Sequence, residues 1–245
     1  MLPISSPQNA TIKLIRSLED KKARREHGLF VAEGRAMLER AEALGFVPEH
    51  VLATKHPDLF DDVKPFIVTE KLMAELSALN NPHEVLATFK QKWQPHPAKE
   101  GMWLALEDIR DPGNLGAIIR TADAASAAGI ILVGDCCDAY APESVRASTG
   151  SIFAVPLTRM PTAQFVDFAR AWPGTALASR MDAKALFTDT CPAPHLLVLG
   201  SESKGLSDLV SSACGRKVRI PMKPGVESLN VATAAALMLY QFNAK

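Results

Sequence analysis

Apolar positions fall along the chain in two regimes. In the later part they form short unbroken runs at residues 102–106, 130–133, 196–199 and 218–220. Runs of that length suit strands buried on both faces of a parallel sheet. Between them, residues 115–127, 162–171 and 207–211 carry helical spacing. The last segment, 231–242, is Ala-rich and apolar nearly all round, which predicts a buried closing helix. The earlier part mixes shorter signals: a basic helical stretch ahead of Phe30, helices at 34–43 and 70–76, and strands at 47–53, 65–68 and 85–89. That is a small α/β unit. Residues 90–101, KQKWQPHPAKEG, hold two prolines and little periodicity and read as a linker. The expected units are 1–95 and 101–245.

Composition narrows the class. The chain has 245 residues, 47% hydrophobic and 22% charged, enough apolar material for a packed core. Lys plus Arg and Asp plus Glu are both 27, so net charge is zero and any case for a nucleic-acid partner must be local. Cys136, Cys137, Cys191 and Cys214 form no C-x-x-C pair, and no two histidines have zinc-finger spacing. The expectation is a reduced, cytoplasmic chain without a structural metal. The N-terminus lacks an apolar leader pattern, and the longest apolar stretch falls far short of the ~20 residues a membrane span needs.

Three constellations carry candidate chemistry. In the first, D-P-G-N-L-G-A-I-I-R-T-A-D from Asp111, Pro112 and Gly113 make a turn and Asn114 is placed to cap a helix bearing Arg120. Arg120 reads either as a surface partner of Asp123 or as a fork for anionic oxygens. In the second, L-G-S-E-S-K-G-L-S from Leu199, a glycine-flanked loop follows a strand, where backbone can approach a ligand closely. It reads equally as an ordinary strand–turn–helix joint. In the third, I-P-M-K-P-G-V-E-S-L-N-V-A-T-A from Ile220, Ser228 or Asn230 starts the last helix, as a cap or as a site residue. A functional reading requires all three loops to meet.

Taken jointly, these segments resemble the SpoU-type (TrmH-like) RNA ribose methyltransferases of the SPOUT class, in family order from residue 102 to the C-terminus. The segment A-P-E-S-V-R-A-S-T-G from Ala141 is similar to a further family segment on the RNA side of the site. In the first unit, I-S-S-P-Q-N from Ile4, Ile12-Lys13, Lys21-Lys22-x-Arg24 and F-V-A-E-G from Phe30 resemble the ribosomal-protein-like substrate-binding domain that precedes many of these enzymes. Ala10 stands where the family often has proline.

The resemblance implies an α/β SPOUT domain with a parallel sheet and a deep trefoil knot, an exception to unknotted topology, preceded by the small α/β domain. It implies a homodimer joined through the C-terminal domain, with the site at the subunit interface. It also implies S-adenosylmethionine as cofactor, held largely by backbone at Ala178, Gly200, Ile220, Met222 and Leu229. Asn114, Arg120, Glu202, Ser228 and Asn230 match the positions of the family's catalytic side chains. The reaction expected is methylation of a ribose 2′-hydroxyl in structured RNA, ribosomal before transfer RNA.

An ordinary Arg stays protonated, so Arg120 is expected to clamp a phosphate and stabilise charge on the 2′-oxygen rather than accept a proton. Asn114 and Ser228 would hydrogen-bond the ribose or Arg120, and Glu202 would steer the sulfonium or order its loop. Two rivals are an RNA-binding module without chemistry, which the intact catalytic set disfavours, and a nucleotide-dependent oxidoreductase, which lacks its G-x-G-x-x-G. For RNA contact, residues 11–26 carry six basic side chains, among them Lys13, Lys21, Lys22 and Arg24, against three acidic ones. Such a run is by default a solvated helix face. The substrate-domain resemblance favours RNA, with Arg146 of the later segment as a further contact.

Overall fold

The computed structural model describes residues 3–77, 81–226 and 228–243. The chain runs α1 (Ala10–Ser17), α2 (Lys21–His27), β1 (Leu29–Glu33), α3 (Arg35–Ala43), β2 (His50–Ala53), β3 (Phe66–Ile67), α4 (Glu70–Leu76) and β4 (Val85–Lys90). There follow β5 (Met102–Glu107), α5 (Pro112–Ala124), β6 (Gly129–Val133), α6 (Pro142–Ser148), β7 (Leu157–Met160), α7 (Thr162–Arg170) and β8 (Thr175–Ser179). The last elements are β9 (Ala185–Leu186), β10 (His195–Gly200), α8 (Asp208–Ala213), β11 (Arg216–Arg219) and α9 (Val231–Asn243).

Two compact units result: Met1–Gln91 with Asp138–Ala154, and Lys92–Cys137 with Val155–Lys245. The first unit therefore includes a late segment that chain order alone would give to the second.

The first unit holds a four-stranded sheet in the order β1-β4-β2-β3. Strands β1 and β2 run antiparallel to β4, and β3 pairs parallel to β2. Ile12 and Ile15 of α1 pack with Leu72, Met73 and Leu76 of α4 over Leu52 and Leu86. Strand β1 was not among the expected elements. Strand β2 begins at His50 rather than at Val47, because Pro48 has no N–H to give a ladder. A second aromatic core joins the late segment to this sheet. Phe153 lies 4.9 Å from Phe89, 5.0 Å from Phe46 and 5.7 Å from Phe30, and Tyr140 lies 4.7 Å from Phe30.

Arg24 corrects an expectation. It is not an exposed RNA contact: its side chain is 4% exposed and pairs at 2.9 Å with Asp138, itself 10% exposed. It also donates to the carbonyls of Leu18 and Glu19 at 2.8 and 2.7 Å, closing the C-terminus of α1. Helix α2 places Lys21, Lys22 and Arg25 in solvent but turns Arg24 inward.

The second unit is a seven-stranded sheet, β7-β6-β5-β10-β8-β11-β9, parallel at every pairing. The unbroken apolar runs of β5, β6 and β10 occupy its middle and are buried on both faces, as expected of such a sheet. Trp103, Ile131, Phe165 and Val198 lie in the core on one side. Helix α9 packs with α5 across β5 and β10 on the other. Among the described residues no helix is long and apolar enough to cross a membrane.

Removing one partner of a buried ion pair leaves the other charge desolvated and unpaired. Arg24→Ala is therefore expected to lower stability by about 3 kcal/mol, with Arg24→Lys intermediate. Chemical denaturation of the full chain checks this, and wild-type stability in Arg24→Ala would return Arg24 to the role of a surface cation.

Candidate active site

Three adjacent strands, β10, β8 and β11, end on the same side of the sheet. In open α/β sheets ligands bind beyond the carboxyl ends of strands. The loops that leave these three strands enclose a cavity of about 440 Å³. Its apolar wall comes from Leu199, Leu206, Ile220, Met222, Leu229 and Val231; its polar rim includes Arg180, Ser201, Glu202 and Ser228.

The cavity floor depends on a backbone-to-backbone approach. A Cβ on Gly200 would stand 2.1 Å from the carbonyl of Gly205 and 2.3 Å from the nitrogen of Leu206. Only glycine fits there. The loop between them closes on itself, with the Gly205 N–H donating to the Ser201 carbonyl at 2.8 Å. Its far end is tied to the sheet by Glu107, the last residue of β5 and 5% exposed. The Glu107 carboxylate accepts from the Ser207 N–H at 2.8 Å and from its hydroxyl at 2.6 Å. Ser207 in turn caps α8.

Arg180 forms a second clasp. It donates to Asp182 at 2.9 and 3.1 Å and to Asp208 at 2.7 Å, joining the β8 loop to the start of α8. Its hydrogen bonds to Asp182 and Asp208 raise the guanidinium pKa further, and Arg180 holds the Asp182 carboxyl below its usual range.

Asn114 is a bridge rather than a cap. Asp111 caps α5, accepting from the Asn114 N–H at 2.6 Å, which leaves the Asn114 side chain available. Its amide nitrogen donates to Glu202, and its carbonyl oxygen accepts from the Asn230 amide at 2.9 Å. Asn230 serves both readings at once: its other end accepts from the Ala232 and Thr233 N–H groups at 2.9 and 3.4 Å, starting α9. One residue from each of the three constellations thus meets in a single hydrogen-bonded chain.

Of the residues singled out from sequence, Gly200, Ile220, Met222, Leu229, Glu202 and Ser228 line the cavity; Glu227, beside Ser228, lies outside the described residues. Ala178 is fully buried in β8, and the strand reaches the cavity one residue later, at Ser179. Arg120 is exposed and does not line its own chain's cavity. Six residues past Asn114, it points roughly 120° away around the helix. Lys13, Lys21 and Lys22 are exposed on the first unit, and Arg146 is half-buried on α6. Sequence reasoning missed Glu107 and Arg180. A carboxylate ending a buried strand was a signal for Glu107; the pairing of Arg180 had none.

A glycine-floored cavity with apolar walls at parallel strand ends, with Glu202, Lys204 and Ser228 on its rim, lies where open α/β proteins bind their ligands. The sequence profile of the SpoU rRNA methylase family matches residues 101–240, and that of the MRM3-like substrate-binding domain matches residues 9–87. An uncharacterised tRNA/rRNA methyltransferase of Synechocystis sp. is 34% identical over 97% of this chain and 92% of its own length. The Bacillus subtilis 23S rRNA (guanosine(2553)-2′-O)-methyltransferase RlmP is 27% identical over 98% of each chain. The crystal structure of an AdoMet-bound rRNA methyltransferase from Sinorhizobium meliloti superposes with a TM-score of 0.90 at 34% identity, covering 98% of this chain and 96% of that one. The chain belongs to the SpoU rRNA methylase family. It is an S-adenosylmethionine-dependent RNA 2′-O-methyltransferase.

The cavity fits that cofactor: apolar walls suit an adenine ring, exposed backbone at Gly200 suits its polar edge, and Glu202 suits a nearby cation. Because Glu107 holds the Gly200–Ser207 loop from beneath, Glu107→Gln is expected to weaken donor binding about tenfold. Calorimetric titration with S-adenosylhomocysteine measures this; an unchanged affinity would show that the loop keeps its shape without the carboxylate.

Proposed function

We propose that the protein methylates a ribose 2′-hydroxyl in ribosomal RNA. The observation that carries this reading is the hydrogen-bonded chain that runs from Glu202, on the rim of the strand-end cavity, through Asn114 to Asn230 and so joins the three motif segments. S-adenosylmethionine, when bound, supplies an electrophilic methyl group that carries its own activation. The protein's work is orientation, where effective molarity can contribute ~7 kcal/mol or more. Ile220, Met222 and Leu229 would grip the apolar part of the cofactor, and backbone around Gly200 its polar edge. Glu202, fixed by Asn114, would favour the sulfonium end near the rim. Ser228 stands at the same rim to hydrogen-bond the ribose.

Arg120 is read as the phosphate clamp that also stabilises charge developing on the 2′-oxygen. Its turn away from its own cavity supports a homodimer in which it serves the partner's site. Helix α9 supports the same reading, because Leu237 and Tyr240 stand 40% and 57% exposed on it; covering them would bury apolar surface. A trefoil knot in the second unit is the reading that membership of the SpoU family supports. The first unit, bearing exposed Lys13, Lys21 and Lys22, is read as the RNA-binding domain, and the cytoplasm as the place of work.

Incubation with methyl-labelled donor and protein-free ribosomal RNA should place label in a 2′-O-methyl nucleoside, recovered as an alkali-resistant dinucleotide. Label on a base, or none on RNA, would contradict the reading. Arg120→Ala is expected to lose at least ~100-fold in turnover with donor affinity unchanged. Mixed with inactive Asn230→Ala subunits it should regain activity. A fully active monomer by light scattering would exclude the shared site.

A further inference from the structure

Among the described residues, the charged side chains that line the strand-end cavity are Arg180, Asp182, Glu202 and Lys204. Three of them are already engaged. Arg180 donates to Asp182 and to Asp208. Glu202 accepts from the Asn114 amide. Lys204 differs. It stands exposed on the cavity rim, and no hydrogen bond or ion pair holds its ammonium among the described residues.

The turn that carries Lys204 is closed. A backbone bridge joins Ser201 to Gly205, with the Gly205 N–H donating to the Ser201 carbonyl at 2.8 Å. Glu202, Ser203 and Lys204 form its tip. Gly205 completes the turn with a φ of +64°, in the left-handed region. Glu202 and Lys204 line the cavity, and Ser203 between them does not. The rim therefore presents a carboxylate and an ammonium two residues apart on one closed loop. Holding such groups in place beforehand lowers the cost of binding.

S-adenosylmethionine carries charges of the matching kinds. Its sulfonium is a cation, and a three-carbon chain beyond the sulfur ends in an α-carboxylate. Glu202 is read above as the partner of the sulfonium end. Two residues of chain span at most about 7 Å, a gap comparable with the reach of that three-carbon tail. Lys204 is thus in range of the carboxylate when Glu202 is near the sulfur. Arg180, the other cation on the cavity wall, could take the carboxylate only by giving up an aspartate.

We propose that Lys204 binds the α-carboxylate of the donor and fixes its amino-acid tail at the rim while the nucleoside fills the apolar part of the cavity. This rests on the reading of the strand-end cavity as the donor site. It adds a charged side chain to a set otherwise drawn from backbone and apolar groups at Gly200, Ile220, Met222 and Leu229. By fixing the tail, Lys204 also orients the sulfonium methyl.

The test is calorimetric titration of the full-length protein and its Lys204 variants with two ligands. One is S-adenosylhomocysteine. The other is 5′-methylthioadenosine, which keeps the nucleoside and the sulfur but has no carboxylate. Lys204→Ala should bind S-adenosylhomocysteine about tenfold more weakly and methylthioadenosine as the unaltered protein does. A merely structural role for Lys204 would weaken both ligands alike, and that result overturns the proposal. Lys204→Arg should keep most of the affinity for S-adenosylhomocysteine, and Lys204→Glu should lose more than Lys204→Ala. This series reads the charge without methylthioadenosine. Unaltered S-adenosylhomocysteine affinity in Lys204→Ala and Lys204→Glu overturns the proposal alone; a raised KM for RNA in the same variants would then assign Lys204 to a phosphate of the RNA. No binding of S-adenosylhomocysteine by the unaltered protein, or binding that folded Gly200→Ala leaves intact, overturns the reading of the cavity as the donor site as well.

Discussion

The active site depends on two stretches of backbone lying against each other with no side chain between them. Gly200 ends β10, and the chain that leaves it returns at Gly205 and Leu206 close enough that a methyl group would overlap the Gly205 carbonyl. That close approach turns the loop back on itself, and its residues line the cavity. Glu107 and Arg180 then fix the loop's far end and its neighbour from opposite sides. The result is a rigid apolar pocket at the strand ends, where a cofactor's reactive centre can be held against a second substrate.

From that pocket the hydrogen bonds lead outward in order. Glu202 lies on the closed loop, Asn114 on α5 and Asn230 at the start of α9, and α5 and α9 pack on each other. A shift in either helix would therefore be felt at the cavity rim. Asn230 shows that a helix cap and a site residue need not be alternatives: one end of its amide starts the helix while the other holds Asn114.

Much of the second unit was legible in the sequence because its strands are continuous apolar runs, the mark of burial on both faces. The three motif segments were legible as loops after strands, but their meeting depends on sheet order, which spacing does not encode. The first unit was less legible. Its β1 and α6 are short, and α6 packs with a domain it follows by more than fifty residues of chain. Arg24 shows the limit most clearly. In sequence it is one cation among six on a solvated run; in the fold it is buried because Asp138, 114 positions later, meets it. No local pattern distinguishes it from Lys21 or Lys22.

The central claim is that the backbone crossing at Gly200 makes the cofactor site. Calorimetric titration with S-adenosylhomocysteine, in the presence of a chelator, tests it most directly. The wild-type chain should bind without added metal. Gly200→Ala, verified as folded by its thermal transition, should bind at least ~100-fold more weakly, because an added methyl group against fixed backbone forces the loop apart. Wild-type affinity in folded Gly200→Ala would contradict the account.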